Sequence, residues 1–299
     1  MTRWVEVAVL LLVLSLPVGA AGRPDAATIE RLTGAKGSWN EKEGVFKVSV
    51  PRSDLAVSSG RVRITPALGL TSWASFTGSG SASMVMGDMV LTEAQVNPVM
   101  SVALDSGLEV TALHNHFLGE APRVMFLHVA GMGSETDLAA AIGKVFAGMH
   151  DRRREMHSPS AAGIDPAHTS LDPAKIERVL GVKGELKDGV YKIVVGRAAR
   201  MHGQDLGGAM GVNTWAAFAG SDARAVVDGD FAMRESELQD VLKALRHAGI
   251  DIVAIHNHMS GEDPRIVFLH YWGIGRAEDL ARGVRLALEK SGGVPASRE

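Results

Sequence analysis

LHNHFLGEAPRVMFLHVAGMG (Leu113–Gly133) returns later in the chain as IHNHMSGEDPRIVFLHYWGIG (Ile255–Gly275). From His114 and His256 onward, 12 of 20 positions are identical, including three histidines at the same spacing. The duplication spreads outward from this stretch in both directions. IERLTGAKG at Ile29 is answered by IERVLGVKG at Ile176, EGVFKVSVPR at Glu43 by DGVYKIVVGR at Asp188, and WASFTGS at Trp73 by WAAFAGS at Trp215. Order is kept, and the offset drifts only from 147 residues at Ile29 to 142 at His114. Two tandem homologous domains follow, over 28–149 and 174–290, with a linker at 150–173 rich in charge, Pro, Ser and Ala. Arg152 to Arg154 in that linker read as a solvated charge run rather than a nucleic-acid patch.

Within each copy, Gly and Ser turns break short β-rich runs, expected as strands near Val45–Val50, Val62–Thr65, Thr71–Phe76 and Ala82–Val90. Short helical patterns stand at Ala27–Leu32 and Glu135–Met149. A third runs between Thr92, at an N-cap position, and Gly107, at a C′ position. A strand over Leu108–His116 and another over Val124–Ala130 flank the loop of the opening motif. The expected class is α+β, each domain a mostly antiparallel sheet packed with two to three helices. RVMFLHVA and RIVFLHYW are apolar on both faces, so helices should cover that strand on one side.

Alternate residues of a strand share a face, so His114 and His116 project together. His128 joins them if the hairpin turn is centred on Ala121, which sets it opposite His114. A centre on Glu120 sets it opposite Ala112, on the same face still; a half-step register turns it away. The same arithmetic governs His256, His258 and His270. Three converging imidazoles suit a divalent metal with an open position for water, zinc foremost, although Cu, Fe, Mn and Ni also accept imidazole. Glu120 and Glu262, four residues after the second histidine, are candidates for a fourth ligand or a general base. Arg123 and Arg265 are candidates for holding an anionic group of a substrate, with a Glu–Arg salt bridge that pins the loop as the alternative. Trp73 and Trp215 stand as site wall or core beside Phe76 and Phe218. Asp88 and Asp230, each after a Gly, read as turn residues or as distal members of the site.

Composition bounds the rest. With 46% hydrophobic and 22% charged residues over 299, a net charge of −3 and 5% aromatics, nothing draws the protein to nucleic acid. Residues 1–22 read as a signal peptide: Arg3, then an apolar core from Val7 to Val18, then GAAG. Twelve apolar residues fall short of the roughly 20 that span a bilayer, so no stable membrane insertion is expected after cleavage; a retained anchor is the alternative. The absence of cysteine excludes disulfides, thiolate metal sites and a cysteine nucleophile. A soluble periplasmic or secreted protein is the expectation.

ALHNHFLGEAPRVMFLH from Ala112 and AIHNHMSGEDPRIVFLH from Ala254, with SWASF and TWAAF upstream, resemble the LppY/LpqO family of exported bacterial proteins, a tandem domain of unknown function. The resemblance covers both copies and implies export and a doubled domain, but no reaction. The named mycobacterial members are lipoproteins; this chain lacks the cysteine a lipid anchor needs, so anchoring is not carried over. The site pattern alone is similar to acetolactate decarboxylase and to the plant-and-prokaryote conserved domain, where a His-x-His pair and a nearby His hold zinc. His-x-His-x3-Glu is also similar to the first cupin motif, but here the third His comes only 12 residues after the second. Three functional classes stay open on the sequence: a metal-dependent hydrolase or lyase on a small anionic ligand, a non-catalytic ligand- or metal-binding module, and a structural duplication without metal.

Overall fold

The computed structural model describes residues 22–150 and 163–293; all but the last residue of the predicted signal peptide, and Arg152–Arg154, lie outside them. The first repeat runs α1 (Ala26–Thr33), β1 (Gly37–Asn40), β2 (Val45–Pro51), β3 (Ser58–Ser59), β4 (Val62–Arg63), β5 (Thr71–Thr77) and β6 (Ser83–Thr92). It continues with α2 (Glu93–Asp105), β7 (Glu109–His114), β8 (Glu120–Ala121), β9 (Val124–Gly133) and α3 (Glu135–Gly148). The second opens with α4 (Pro173–Leu180), β10 (Glu185–Lys187), β11 (Val190–Gly196), β12 (Ala199–Met201), β13 (Gln204–Leu206), β14 (Asn213–Gly220) and β15 (Ala225–Arg234). It closes with α5 (Leu238–His247), β16 (Asp251–His256), β17 (Ile266–Gly275) and α6 (Ala277–Lys290). The class is α+β, as expected.

The two repeats do not keep separate sheets. Twelve strands form one antiparallel sheet in the order β1-β2-β5-β6-β9-β7-β16-β17-β15-β14-β11-β10, joined where β7 meets β16 at Leu113 and Ile255. Among the described residues the six α-helices lie over one face, packed in the series α1, α3, α2, α5, α6, α4. Sheet and helix layer thus repeat about a pseudo-twofold axis at the junction. One apolar core runs through both halves, from Phe46, Val85, Met89 and Leu127 to Phe231, Leu269 and Leu288.

The local reasons are ordinary ones. Asp25 caps α1 by accepting from the N–H groups of Ala27 and Thr28. At the start of α2 the Thr92 N–H donates to the Gln95 carboxamide at 3.0 Å. Gly107, at φ +84°, takes the chain out of α2 into β7, a backbone angle that disfavours any residue with a Cβ.

The junction owes its shape to two bulges. Val110 pairs with Val129 and Ala112 with His128, so Thr111 is an extra residue; Val253 is its counterpart between Ile252 and Ala254. The strand groups freed there are taken up across the repeats. The Gln239 carboxamide both donates to the Val110 carbonyl and accepts from the Val110 N–H, at 2.9 Å each. Asn97 does the same for Ile252, at 3.1 and 2.7 Å. Each helix amide therefore completes the ladder of the other repeat. α2 and α5 also touch through Arg246 and Ser101, at 3.1 Å.

On the face opposite the helices, the segment carrying β3 and β4 folds back to bury Val57, Ile64 and Leu70 against Val90, Val124 and Phe126. Ala199, Leu206 and Val212 do the same for Ala232, Ile266 and Phe268. That explains why β9 and β17 are apolar on both sides: helices cover one face and a loop cluster part of the other. Among the described residues no helix is long and apolar enough to cross a membrane.

Candidate metal centre

The open face carries two rows of side chains. In the first, Trp73 pairs with Asp88, Asp88 with His128, and His128 with Ala112. In the second, Trp215 pairs with Asp230, Asp230 with His270, and His270 with Ala254. The hairpin register is therefore the one centred on Glu120, and His114 meets His128 diagonally. The bulge at Thr111 sets this phase: Val110 and Leu113 both enter the core, and Ala112 and His114 turn outward. Because β7 and β16 lie side by side, both histidine groups open on the same face.

In repeat one the Nε2 atoms of His114 and His128 are 2.9 Å apart, and His128 Nε2 is 3.8 Å from the Asp88 carboxylate. His116 stacks on the Phe126 ring, centroids 3.5 Å apart, with its own ring 5.1 Å from that of His114. In repeat two His258 Nε2 lies 3.1 Å from His256 Nε2 and 3.2 Å from Asp230 Oδ2. His258 stacks on Phe268 at 3.5 Å, and the His256 and His270 rings are 4.6 Å apart. Asp230, His256 and His258 offer three ligand atoms all within 4.8 Å of one another, a group that can hold a metal ion.

The orientation of the rings bears on what they do. The Nδ1 atoms of His258 and His270 each face a backbone carbonyl, Gly211 and Gly229, at 3.3 Å. Donation there puts the proton on Nδ1 and turns the Nε2 lone pair toward the cluster, as in metal-bound imidazoles. Two such nitrogens 2.9–3.1 Å apart fall within the reach of one ion at ordinary bonds of about 2.0–2.1 Å.

Buried polar atoms tell the same story. Among the described residues four side-chain atoms are buried without a hydrogen bond: Asp88 Oδ1, Asp230 Oδ1, His256 Nδ1 and Glu120 Oε1. Three belong to these clusters and the fourth to the loop between His116 and His128. Burial pushes the carboxyls of Asp88 and Asp230 above the usual range, against the pull of neighbouring histidines. It pulls His116 down and takes His256 to about 4, with His270 and His258 pushing the same way. The donors fit a cation: neutral imidazoles and a carboxylate that burial alone disfavours in charged form.

The remaining predicted residues divide. Trp73 and Trp215 end the rows beyond the aspartates, each under a lysine ammonium, Lys47 at 4.1 Å and Lys192 at 4.2 Å. Phe76 and Phe218 point to the helix side and belong to the core. Glu262 is buried and accepts from the Ile266 N–H at 2.9 Å, clasping its own loop, while Glu120 Oε1 has no partner. The glutamates do not bridge to the neighbouring arginines: Arg123 faces Glu93 at 3.8 Å and Arg265 faces Glu235 at 4.0 Å, all four exposed. Arg265, His256, Asn257, Ala112 and Gln239 line a hollow of about 310 Å3 at the junction. A smaller one of about 180 Å3 has Arg123 and Asn97 in its wall.

Asp88 and Asp230 carry only the signal of a Gly-Asp pair repeated in both copies, which leaves a turn and a distal place in the site both open. Both lie in mid-strand. Gly87 and Gly229 serve packing, since a Cβ would meet the Trp73 carbonyl at 2.8 Å and the Trp215 carbonyl at 2.5 Å. The stacking platforms Phe126 and Phe268 carried a signal that only parity reveals: each stands two residues before the third histidine.

A comparison with curated protein sequences gives no match. Among solved structures, a trimeric bacterial microcompartment shell protein, PduB, aligns over 85% of this chain and 89% of its own at 13% identity and a TM-score of 0.20, too low to carry an argument. The model of one family matches residues 27–147 and again 174–290, most of the chain, and the protein therefore belongs to the family described as Domain of Unknown Function (DUF1259).

Proposed function

We propose that each repeat is a divalent-metal site, held by His114, His116 and His128 with Asp88 in the first and by His256, His258 and His270 with Asp230 in the second. The observation that carries this is the pair of Nε2–Nε2 approaches at 2.9 and 3.1 Å, each beside a buried carboxylate oxygen that has no hydrogen bond. Two lone pairs facing each other at that distance repel unless a proton or a cation lies between them. His256, held down to about 4, is a neutral imidazole near pH 7 and free to act as a ligand, so either the single N–H of one ring or a bound cation lies between the two nitrogens. Zinc is the first expectation for such a donor set.

A metal with a free position lowers the pKa of bound water to about 7 and serves hydrolysis or lyase chemistry. This chain's residues would then bind and orient a small anionic substrate. Arg265 and Asn257 line the hollow beside His256, and Trp215 closes the far end of the row. Glu120, with an unpartnered buried oxygen, and Glu262 are the general-base candidates. Glu262's bond to the Ile266 N–H favours a second reading for repeat two, capture of metal or ligand without turnover. Export to the periplasm or medium is proposed with this function. It is supported by the apolar segment Val7–Val18 and the resemblance to LppY/LpqO proteins.

Elemental analysis of the purified chain, loaded with excess zinc and desalted, should find about two ions. Combining Asp230→Ala with His258→Ala should leave one. Fewer than about 0.2 ions per chain in the loaded wild type would end the metal reading. Glu120→Gln and Glu262→Gln then separate catalysis from capture: turnover lost with metal retained marks an enzyme.

A further inference from the structure

Past the histidines, the open face of repeat one turns to sulfur. Met84 and Met86 share the parity of Asp88 on β6, and Met132 shares that of His128 on β9. Met84 pairs directly with Met132, and Met86 pairs with Ala130, so Met86 is the diagonal neighbour of Met132. Direct pairs hold their Cβ atoms about 4.5–5.5 Å apart and diagonal pairs about 7–8 Å. Three rotatable bonds in each side chain leave the thioethers free to meet. The helix side of the same strands is filled elsewhere, by Val85 and by Leu138 and Leu108 around Gly131.

These methionines are not core. Met86 is 51% exposed and Met132 80%, with Met84 half-buried between them. Nor does the scaffold require them. The register partners in repeat two are Val226 for Met84, Asp228 for Met86 and Ile274 for Met132, in the same pairing. The facing positions on β5, Ser75 and Thr77, are uncharged. With no cysteine in the chain, methionine is its only sulfur donor. Neutral thioethers select soft, singly charged ions, Cu(I) above the divalent metals.

We propose that Met84, Met86 and Met132 form a Cu(I) site, separate from the histidine clusters and present in the first repeat alone. It lies two to four residues along the strands from Asp88 and His128, about 7–13 Å at the usual rise.

The test is X-ray absorption on the full chain loaded anaerobically with one equivalent of Cu(I). Sulfur neighbours around copper are expected, and with no cysteine they can only be methionine. The variant M84L/M86L/M132L preserves side-chain volume at two exposed positions and one half-buried one, and should keep the wild-type Tm while losing the sulfur shell and one equivalent of bound Cu(I). A variant H114A/H128A should keep both. Absence of sulfur neighbours in the wild type, their persistence in the leucine variant, or their loss in the histidine variant would each overturn the assignment.

Discussion

The two repeats share a scaffold and differ in what they place on it. Both carry the row of tryptophan, aspartate, histidine and alanine, and both stack the second histidine of the pair on a phenylalanine. In the first, the closest nitrogens are those of His114 and His128 on neighbouring strands; in the second they are those of His256 and His258 on one strand end. Glu120 Oε1 has no hydrogen bond where Glu262 is tied to its loop, and Met84, Met86 and Met132 stand where the second repeat has Val226, Asp228 and Ile274. The shared rows are what a site of this kind requires; the differences mark where one copy has been free to change.

The packing beneath the rows offers the sharpest break. A Cβ on Gly229 would meet the Tyr271 ring at 2.2 Å, whereas on Gly87 its nearest side-chain neighbour is the flexible end of Met89 at 2.8 Å. Gly229→Ala should destabilise by about 3 kcal/mol or more and Gly87→Ala by about 1–2 kcal/mol, as overpacking does in filled cores. Denaturant melts of the two variants check it; equal losses would show that Tyr271 yields as readily as Met89.

The junction amides should respond alike. Asn97→Leu and Gln239→Leu each strand one N–H and one carbonyl at a bulge, at a cost of about 2 kcal/mol apiece. Thermal melts of the single variants and the pair measure this. A loss confined to one variant would show that the two bulges are not equivalent.

Acid should act more on the second cluster. His256, with a folded pKa of about 4 against an ordinary 6.5, binds its proton more readily when unfolded. Its contribution to metal-free stability is therefore full above pH 6.5 and is lost as pH falls toward 4. The raised pKa of Asp230 works the other way, with stability lost as pH rises through that value. Melts of the chelated protein from pH 7 to 4 should fall in this window, and His256→Gln should flatten the fall. A slope unchanged in His256→Gln would move the effect elsewhere.

The smallest difference is expected at the lysines over the tryptophans. Lys47→Ala and Lys192→Ala should each cost about 0.5–1 kcal/mol, equally in both repeats. Chemical melts resolve this, and a larger loss at one would mean that the lysine also anchors its row.

Much of the arrangement was legible because it rests on period and repetition. Parity put His114 and His116 on one face and left His128 to the hairpin register, while the double apolarity of RVMFLHVA pointed to helix cover on one side and left the loop cluster on the other unread. The helix bounded by Thr92 and Gly107 appears as Glu93–Asp105. Other features left weaker marks. The bulges show only as a spacing of three between Val110 and Leu113, and between Ile252 and Ile255, where a regular strand would give two. β1 was missed because four residues with one glycine carry little pattern. The joining of the sheets has no local signature, since it depends on the fit of two strand edges and two distant amides. The Gly-Asp pairs leave a turn and a distal site position equally open, because nothing local shows that glycine here serves close packing in mid-strand.

The strand pairing at Leu113 and Ile255 has an ancestral consequence. A repeat standing alone would leave β7 as a bare edge, with Asn97 or Gln239 deprived of the backbone it serves. Its natural remedy is a second copy of itself, bound through the same patch in an isologous homodimer. Fusing two copies into one chain makes that association independent of concentration and breaks the identity of the halves. One half then gains freedom to alter its ligands while the other keeps the original set.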